Sequence, residues 1–176
     1  MSLKISGSQI LRDLGCQLRN LDFVSRLWKA VKAPLEGHDV TVFTNSLKIA
    51  MELMAEKEIT VLLLGGKVRL GVGTTSGYWA EQMIDNFHVD KFFLGVGAIM
   101  PEYGVMDYHM EETNLRRMCV KSAKQVFALA DFSKFGIKAL NQVCKPEELD
   151  YLITDDKTDK KILRELKEKG IQIIVA

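Results

Sequence analysis

Short apolar runs recur along this chain, and each is followed by a stretch in which apolar residues return every three to four positions. Asp39 to Phe43 is short and β-branched. Ser46 to Lys57 carries Leu47, Ile49, Ala50, Leu53 and Met54 at helical spacing, with Ser46 placed to accept an orphan backbone N–H. Ile59 to Leu64 is a second strand-like run, stopping at Gly65-Gly66. Gly77 to Phe87 reads as a helix and Val89 to Ile99 as a strand containing Gly95 and Gly97. Glu111 to Lys124 reads as a helix with Leu115, Met118, Cys119 and Ala123 on one side, and Gln125 to Ala130 as a strand that stops at Asp131. Tyr151 to Thr154, Asp159 to Lys169 and Ile171 to Val175 close the chain as strand, helix and strand.

Apolar strands separated by helices predict a mostly parallel sheet covered on both faces. The expected fold class is therefore α/β, a Rossmann-like three-layer domain. At 176 residues the chain is expected to form a single domain over 1–176. With 47% hydrophobic and 27% charged residues it is too apolar for disorder. Apolar runs such as Val61 to Leu64 fall far short of the ~18 residues of a spanning helix. No membrane partner is expected, and the absence of a charged-then-apolar leader predicts a cytoplasmic location. The net charge of +1 argues against nucleic-acid binding by this stretch on its own. Cys16, Cys119 and Cys144 are odd in number and widely spaced, so they read as buried thiols rather than metal ligands or a disulfide. No metal or cofactor is expected. Met1-Ser2-Leu3 leads directly into a strand-like Lys4-Ile5, which suggests that the native chain continues upstream.

Ligands of open α/β sheets bind outside the carboxyl ends of the strands, so the strand ends are the places to search. Gly7, Ser8 and Gln9 lie between Ile5 and a helix-like Ile10 to Leu18 and could form an anion site, or a plain helix cap. Thr44, Asn45 and Ser46 could grip phosphate or sugar hydroxyls, or simply cap the next helix. Gly65 and Gly66 allow close backbone approach or a turn. The Gly71 to Gly77 run lacks the Gly-Lys-Ser/Thr of a phosphate loop and reads as a flexible turn. Gly95 and Gly97 mark a bulge or a close approach inside a strand. Asp131, Ser133 and Lys134 place a carboxylate, a hydroxyl and an ammonium just past a strand. Glu112 and Arg116, four apart on one helix, read as a surface ion pair worth a few tenths of a kcal/mol, or as a pair facing the pocket. His38, His88 and His109 read as structural or surface residues, and Lys157 to Lys169 as the solvated face of a helix.

Thr44-Asn45-Ser46, Leu63-Leu64-Gly65-Gly66, Phe92-Phe93-Leu94-Gly95, Glu111-Glu112 through Arg116-Arg117, Ala130-Asp131-Phe132-Ser133-Lys134-Phe135-Gly136 and Leu152-Ile153-Thr154-Asp155 together resemble the effector domain of DeoR-family transcriptional repressors. The likeness runs from about Val40 to Asp155. It implies a fold similar to ribose-5-phosphate isomerase and glucosamine-6-phosphate deaminase, and binding of a phosphorylated sugar rather than its conversion. It also implies a winged helix-turn-helix upstream, through which DNA would be bound. The family's Gly-Thr-Thr loop aligns with Gly7-Ser8-Gln9, Arg116 stands where lysine is usual, and His109 where aspartate is frequent.

The resulting expectation is a sugar-phosphate sensor, not an enzyme, acting as a homodimer or larger oligomer. Phosphate would sit at Gly7-Ser8-Gln9 and Thr44-Asn45-Ser46, with Gly65, Gly66, Gly95 and Gly97 lining the site and Lys134 supplying charge. Glu112, Arg116 and Asp131 would contact the sugar or hold Lys134. The rival readings are an isomerase or deaminase using Glu112 or Asp131 with Lys134, and a degenerate domain that only oligomerises.

Overall fold

A computed structural model describes residues 40–57 and 59–175. The chain divides into two compact units, one ending at Thr75 and one running from Ser76 to Val175.

In the first unit, β1 (Val40–Thr44) pairs in parallel with β2 (Ile59–Leu63), and helix α1 (Leu47–Leu53) connects them. Ser46 caps α1 as expected, its hydroxyl accepting from the Ile49 N–H at 3.4 Å. The helix buries Ala50 and Leu53 and ends at Leu53, short of the Lys57 that the periodicity suggested, and Met54, its C-cap, faces solvent. β3 (Lys67–Arg69) and β4 (Thr74–Ser76) form a hairpin. Residues 71–77 are therefore not a flexible turn: they include a strand, and Thr75 and Ser76 are buried.

The second unit begins with α2 (Tyr78–Asp85) and centres on a four-stranded parallel sheet. Its order is β11 (Gln172–Val175), β10 (Tyr151–Thr154), β8 (Ala123–Leu129) and β5 (Val89–Gly95). The period-2 alternation of strands explains the two faces. Leu94, Ala128 and Leu152 are in register and lie in the main core with Val126, Leu166 and Ile171. Phe93, Phe127 and Tyr151 occupy the other face as a stack, with ring centroids 5.2 and 4.5 Å apart. Helix α3 (Met110–Ser122) precedes β8, and α4 (Lys160–Glu168) precedes β11. α3 starts with Glu111 and Glu112 and ends with Lys121, charges that suit its dipole.

A mostly parallel α/β architecture is thus present, with one departure. The run Val89 to Ile99 is not one strand. It breaks after Gly95, where the Val96 N–H donates to the Leu129 carbonyl at 3.1 Å. The chain then enters β6 (Ala98–Met100), which joins β7 (Gly104–Asp107) and β9 (Asn141–Cys144) in an antiparallel sheet absent from the sequence reading. The expected helix Glu111–Lys124 likewise ends at Ser122, and Ala123 already belongs to β8. Cys119 and Cys144 are buried free thiols, as expected; burial pushes both up to about 12. Cys16 and His38 lie outside the described residues. No helix among the described residues is long and apolar enough to cross a membrane.

Candidate functional site

The parallel strands β5, β8 and β10 end on the same side of their sheet, at Gly95, Leu129 and Thr154. Past β8, Asp131 opens a single 3-10 turn, Phe132–Lys134, and its carboxylate accepts from the Ser133 N–H at 2.9 Å and from the Ser133 hydroxyl. Past β10, Asp155 accepts from the Phe132 N–H at 2.9 Å and from the Lys157 N–H at 3.0 Å. The two aspartates therefore hold the loop in shape. Lys134, a partly buried residue, donates its backbone N–H to the Asp131 carbonyl at 3.0 Å, and among the described residues its ammonium has no ion-pair partner. Asp131 organises the Lys134 backbone rather than pairing with its charge. Gly95 has room beside it, since a Cβ there would meet nothing within 4 Å.

Glu112 and Arg116 are not a surface pair. Glu112 is buried, and the Arg116 Nη2 lies 3.6 Å from its Oε2. The stronger contact is with a residue the sequence reading passed over: Arg116 Nη1 donates to Asp107 Oδ2. Asp107 sits at the end of β7, is buried, and accepts on Oδ1 from the Tyr108 and His109 N–H groups at 2.6 and 3.1 Å. It thereby supplies the entry to α3 with the acceptor that His109, the N-cap, does not provide from its own side chain. Gly97 belongs to the same place, because a Cβ on it would lie 3.0 Å from the Met106 carbonyl oxygen and 3.5 Å from the Asp107 carboxyl carbon. Gly97, Asp107, Glu112 and Arg116 thus form one cluster. It adjoins the Asp131–Lys134 turn through the Gly136 N–H, which donates to the Ile99 carbonyl at 3.2 Å. The signal that could have exposed Asp107 is an acceptor side chain two residues ahead of a helix N-cap.

In the first unit, Thr44, Asn45 and Ser46 form one turn at the end of β1, and all three side chains are engaged. Thr44 Oγ1 accepts from the Ser46 N–H at 3.1 Å, Asn45 Nδ2 donates to the Thr75 carbonyl at 2.9 Å, and Ser46 caps α1. Thr75 locks the turn from the other side: its N–H donates to the Asn45 carbonyl at 2.8 Å, and its hydroxyl to the Asn45 and Leu64 carbonyls. Gly65 and Gly66 follow directly from Leu64, and Gly66 takes φ +117°, a backbone suited to glycine. Gly7, Ser8 and Gln9 lie outside the described residues. No group of three His, Cys, Asp or Glu residues among the described residues could hold a metal ion.

In each unit, polar turns and glycines lie at the carboxyl ends of parallel strands, the place where open α/β sheets take their ligands. Residues 27–156 match the family model described as DeoR C terminal sensor domain, and the chain belongs to that family. It is 31% identical over 137 residues to the HTH-type transcriptional regulator GolR of Listeria innocua, covering 78% of this chain and 54% of that protein. It is 35% identical over 141 residues to the HTH-type transcriptional repressor GlcR of Bacillus subtilis, covering 80% and 54%. It is 28% identical over 148 residues to the glycerol-3-phosphate regulon repressor of Haemophilus influenzae, covering 84% and 57%. The chain spans about half the length of the curated relatives it matches. The family and these relatives are transcriptional regulators and repressors.

Proposed function

We propose that residues 1–176 act as one effector-binding domain of a transcriptional repressor, taking a phosphorylated sugar or related small phosphate without converting it. The fold would be that of the sugar-phosphate isomerases and deaminases. Lys134, a partly buried residue in the turn past β8, carries this reading, because its ammonium is a point charge with no ion-pair partner among the described residues. One relative is named for a glycerol-3-phosphate regulon, which supports a phosphate-bearing effector. In the first unit, Gly7-Ser8-Gln9 and the Thr44-Asn45-Ser46 turn would receive phosphate, with Gly65 and Gly66 allowing close backbone approach; in the second unit Gly95 leaves room for a ligand, whereas the space at Gly97 is taken by β7. Glu112 and Arg116 would act through Asp107, and Asp131 through the shape of the Lys134 turn. Sensing is favoured over catalysis because Asp107, Glu112 and Asp131 are occupied in ion pairing or loop capping rather than left as a free general base. Effector binding would reach DNA through an upstream module and a shift between oligomeric states, by as much as the affinities of those states differ.

The test is thermal unfolding with sugar phosphates, their unphosphorylated parents and inorganic phosphate. A ligand at 100 times its Kd adds about 2.7 kcal/mol, a rise of roughly 5–10 °C for a chain of this size. One phosphosugar should produce it and its parent sugar should not, and Lys134→Ala should abolish the shift while leaving the unliganded Tm unchanged. A full shift retained in Lys134→Ala refutes the site.

A further inference from the structure

The chain segments that follow β8 and β10, two neighbouring parallel strands, meet around one aromatic ring. The turn past β8, Phe132–Lys134, is followed by Phe135. Phe135 packs against the main core, whereas Phe132 is 48% exposed. The Phe132 backbone is held from the β10 side, where Asp155 Oδ2 accepts its N–H. Its ring is held from that side too, because the Lys157 ammonium lies 5.2 Å from the ring centroid. The segment that carries Lys157 is itself fixed. Asp155 Oδ1 accepts the Lys157 N–H, the Thr158 N–H donates to the Asp155 carbonyl at 3.4 Å, and the buried Thr154 and Thr158 hydroxyls are hydrogen-bonded at 2.7 Å.

A cation over an exposed ring favours one placement of both groups. Phe132 is therefore a positioned apolar surface, two residues before the Lys134 ammonium and at the carboxyl ends of two strands. Aromatic walls with a few polar anchors are the usual lining of a small-molecule site. The face of an aromatic ring is electron-rich. It attracts C–H groups made electron-poor by neighbouring oxygens, which a furanose or pyranose presents together on one face. An open-chain three-carbon phosphate has no such face, and it must give up torsional freedom to lie along the ring.

We propose that Phe132 is a specificity-determining residue of the effector site, its ring selecting sugar phosphates in cyclic form over open-chain ones, with Asp155 and Lys157 as its positioning residues. This selection rests on the effector reading above and adds a contact for the sugar to the charge that Lys134 offers the phosphate.

The test is titration calorimetry on the whole chain. Ribose 5-phosphate, fructose 6-phosphate and glucose 6-phosphate are the cyclic probes, and glycerol 3-phosphate and dihydroxyacetone phosphate the open-chain ones. The tightest cyclic probe should bind about tenfold or more above either open-chain probe. Phe132→Leu keeps an apolar side chain without the ring and should cut that preference to about twofold or less, whereas Phe132→Tyr should retain it. Lys157→Ala should lower the preference and Lys157→Arg should keep it, a pattern that a lysine serving only the loop would not produce. Circular dichroism of the unliganded variants checks that each is folded. Equal affinity for both kinds of probe, tighter binding of an open-chain probe, or a preference unchanged in Phe132→Leu or Lys157→Ala overturns the proposal, and the effector reading still stands if Lys134→Ala abolishes binding. If no probe binds, or binding survives Lys134→Ala unchanged, the effector reading falls and the selection by Phe132 falls with it.

Discussion

Replacing Arg116 with methionine keeps the reach of the side chain and deletes its charge. The two carboxylates beside it are nearly sealed, with Asp107 and Glu112 side chains 8% and 7% exposed, whereas Arg116 is 27% exposed. Without the guanidinium, two carboxylates are left together with little water, and breaking a buried pair in this way costs about 3–5 kcal/mol. Asp107→Asn is milder. Its amide oxygen still accepts from the Tyr108 and His109 N–H groups, and Arg116 keeps Glu112 and some solvent, so the cost is about 1–2 kcal/mol. The two sites share one interaction, so the double variant should fall short of the sum by about 1–3 kcal/mol. In a chain of this length each kcal/mol moves Tm by about 2–4 °C, which gives Arg116→Met a loss of roughly 6–20 °C. Urea unfolding followed by far-UV circular dichroism measures all four proteins, and equal m-values license the comparison. An Arg116→Met cost below about 1 kcal/mol, or below that of Asp107→Asn, refutes the claim that this guanidinium neutralises two buried carboxylates.

Gly104→Ala should cost about 2–5 kcal/mol, because Gly104 sits at φ +71° and a Cβ would lie 2.8–2.9 Å from Lys145 backbone atoms. Gly71→Ala has the strain (φ +81°) without the clash and should cost about 1–2 kcal/mol, so urea midpoints of the two variants separate clash from strain. Cys119 and Cys144 keep their protons to about pH 12 in the folded chain, against 9.0 unperturbed. The unfolded state binds fewer protons between these values, so stability falls as pH rises from about 9, by about 1.4 kcal/mol per pH unit per thiol. Unfolding at pH 8.5 and 10.5 should show this loss in the native chain, and a smaller one in the Cys119→Ala/Cys144→Ala variant. Thr75→Val removes a buried hydroxyl that bonds the Asn45 and Leu64 carbonyls and should cost about 1–3 kcal/mol by the same assay.

The parallel sheet was legible because its strands are short, apolar and uncapped by alternation, and Ser46 was legible because a cap is a local device. The antiparallel sheet β6–β7–β9 was not. β7 is four buried residues, Gly104–Asp107, preceded by a turn and followed at once by a helix, and it is held by pairing with Asn141–Cys144 far along the chain. Such pairing leaves no periodicity in either segment. Gly95 and Gly97 inside Val89–Ile99 read as a bulge or a close approach; the structure breaks the strand there, and what approaches Gly97 is β7, a partner only the fold reveals. Glu112 and Arg116 show the same limit. Their spacing of four announces an ion pair, while the environment that turns a surface pair into a buried one comes from Asp107, nine residues before Arg116. The polar residues at Thr44–Ser46 were visible as a cluster, but their tie to Thr75, thirty residues on from Asn45, was not.

The glycines of the second unit also decide what Arg116 can offer a ligand. Gly97 lets the end of β7 approach the chain leaving β5, and Gly104 lets the start of β7 lie against Cys144 and Lys145. With both ends fixed, Asp107 reaches the entry of α3, and Arg116 is drawn to it rather than left pointing to solvent. A ligand that engages Arg116 must then compete with a carboxylate already bonded to it. A neutral hydroxyl supplies too little to displace an ion pair, whereas a phosphate, carrying up to two charges and several acceptor oxygens, is of the right strength. Displacing Asp107 would in turn strand its charge between Gly97 and two backbone N–H groups, a cost that falls on the β7–α3 junction. Lys134 carries no such cost, because no carboxylate among the described residues holds its ammonium. Of Lys134 and Arg116, the lysine is therefore the one available to an anion in the observed arrangement, and the arginine is the one that keeps β7 and α3 together.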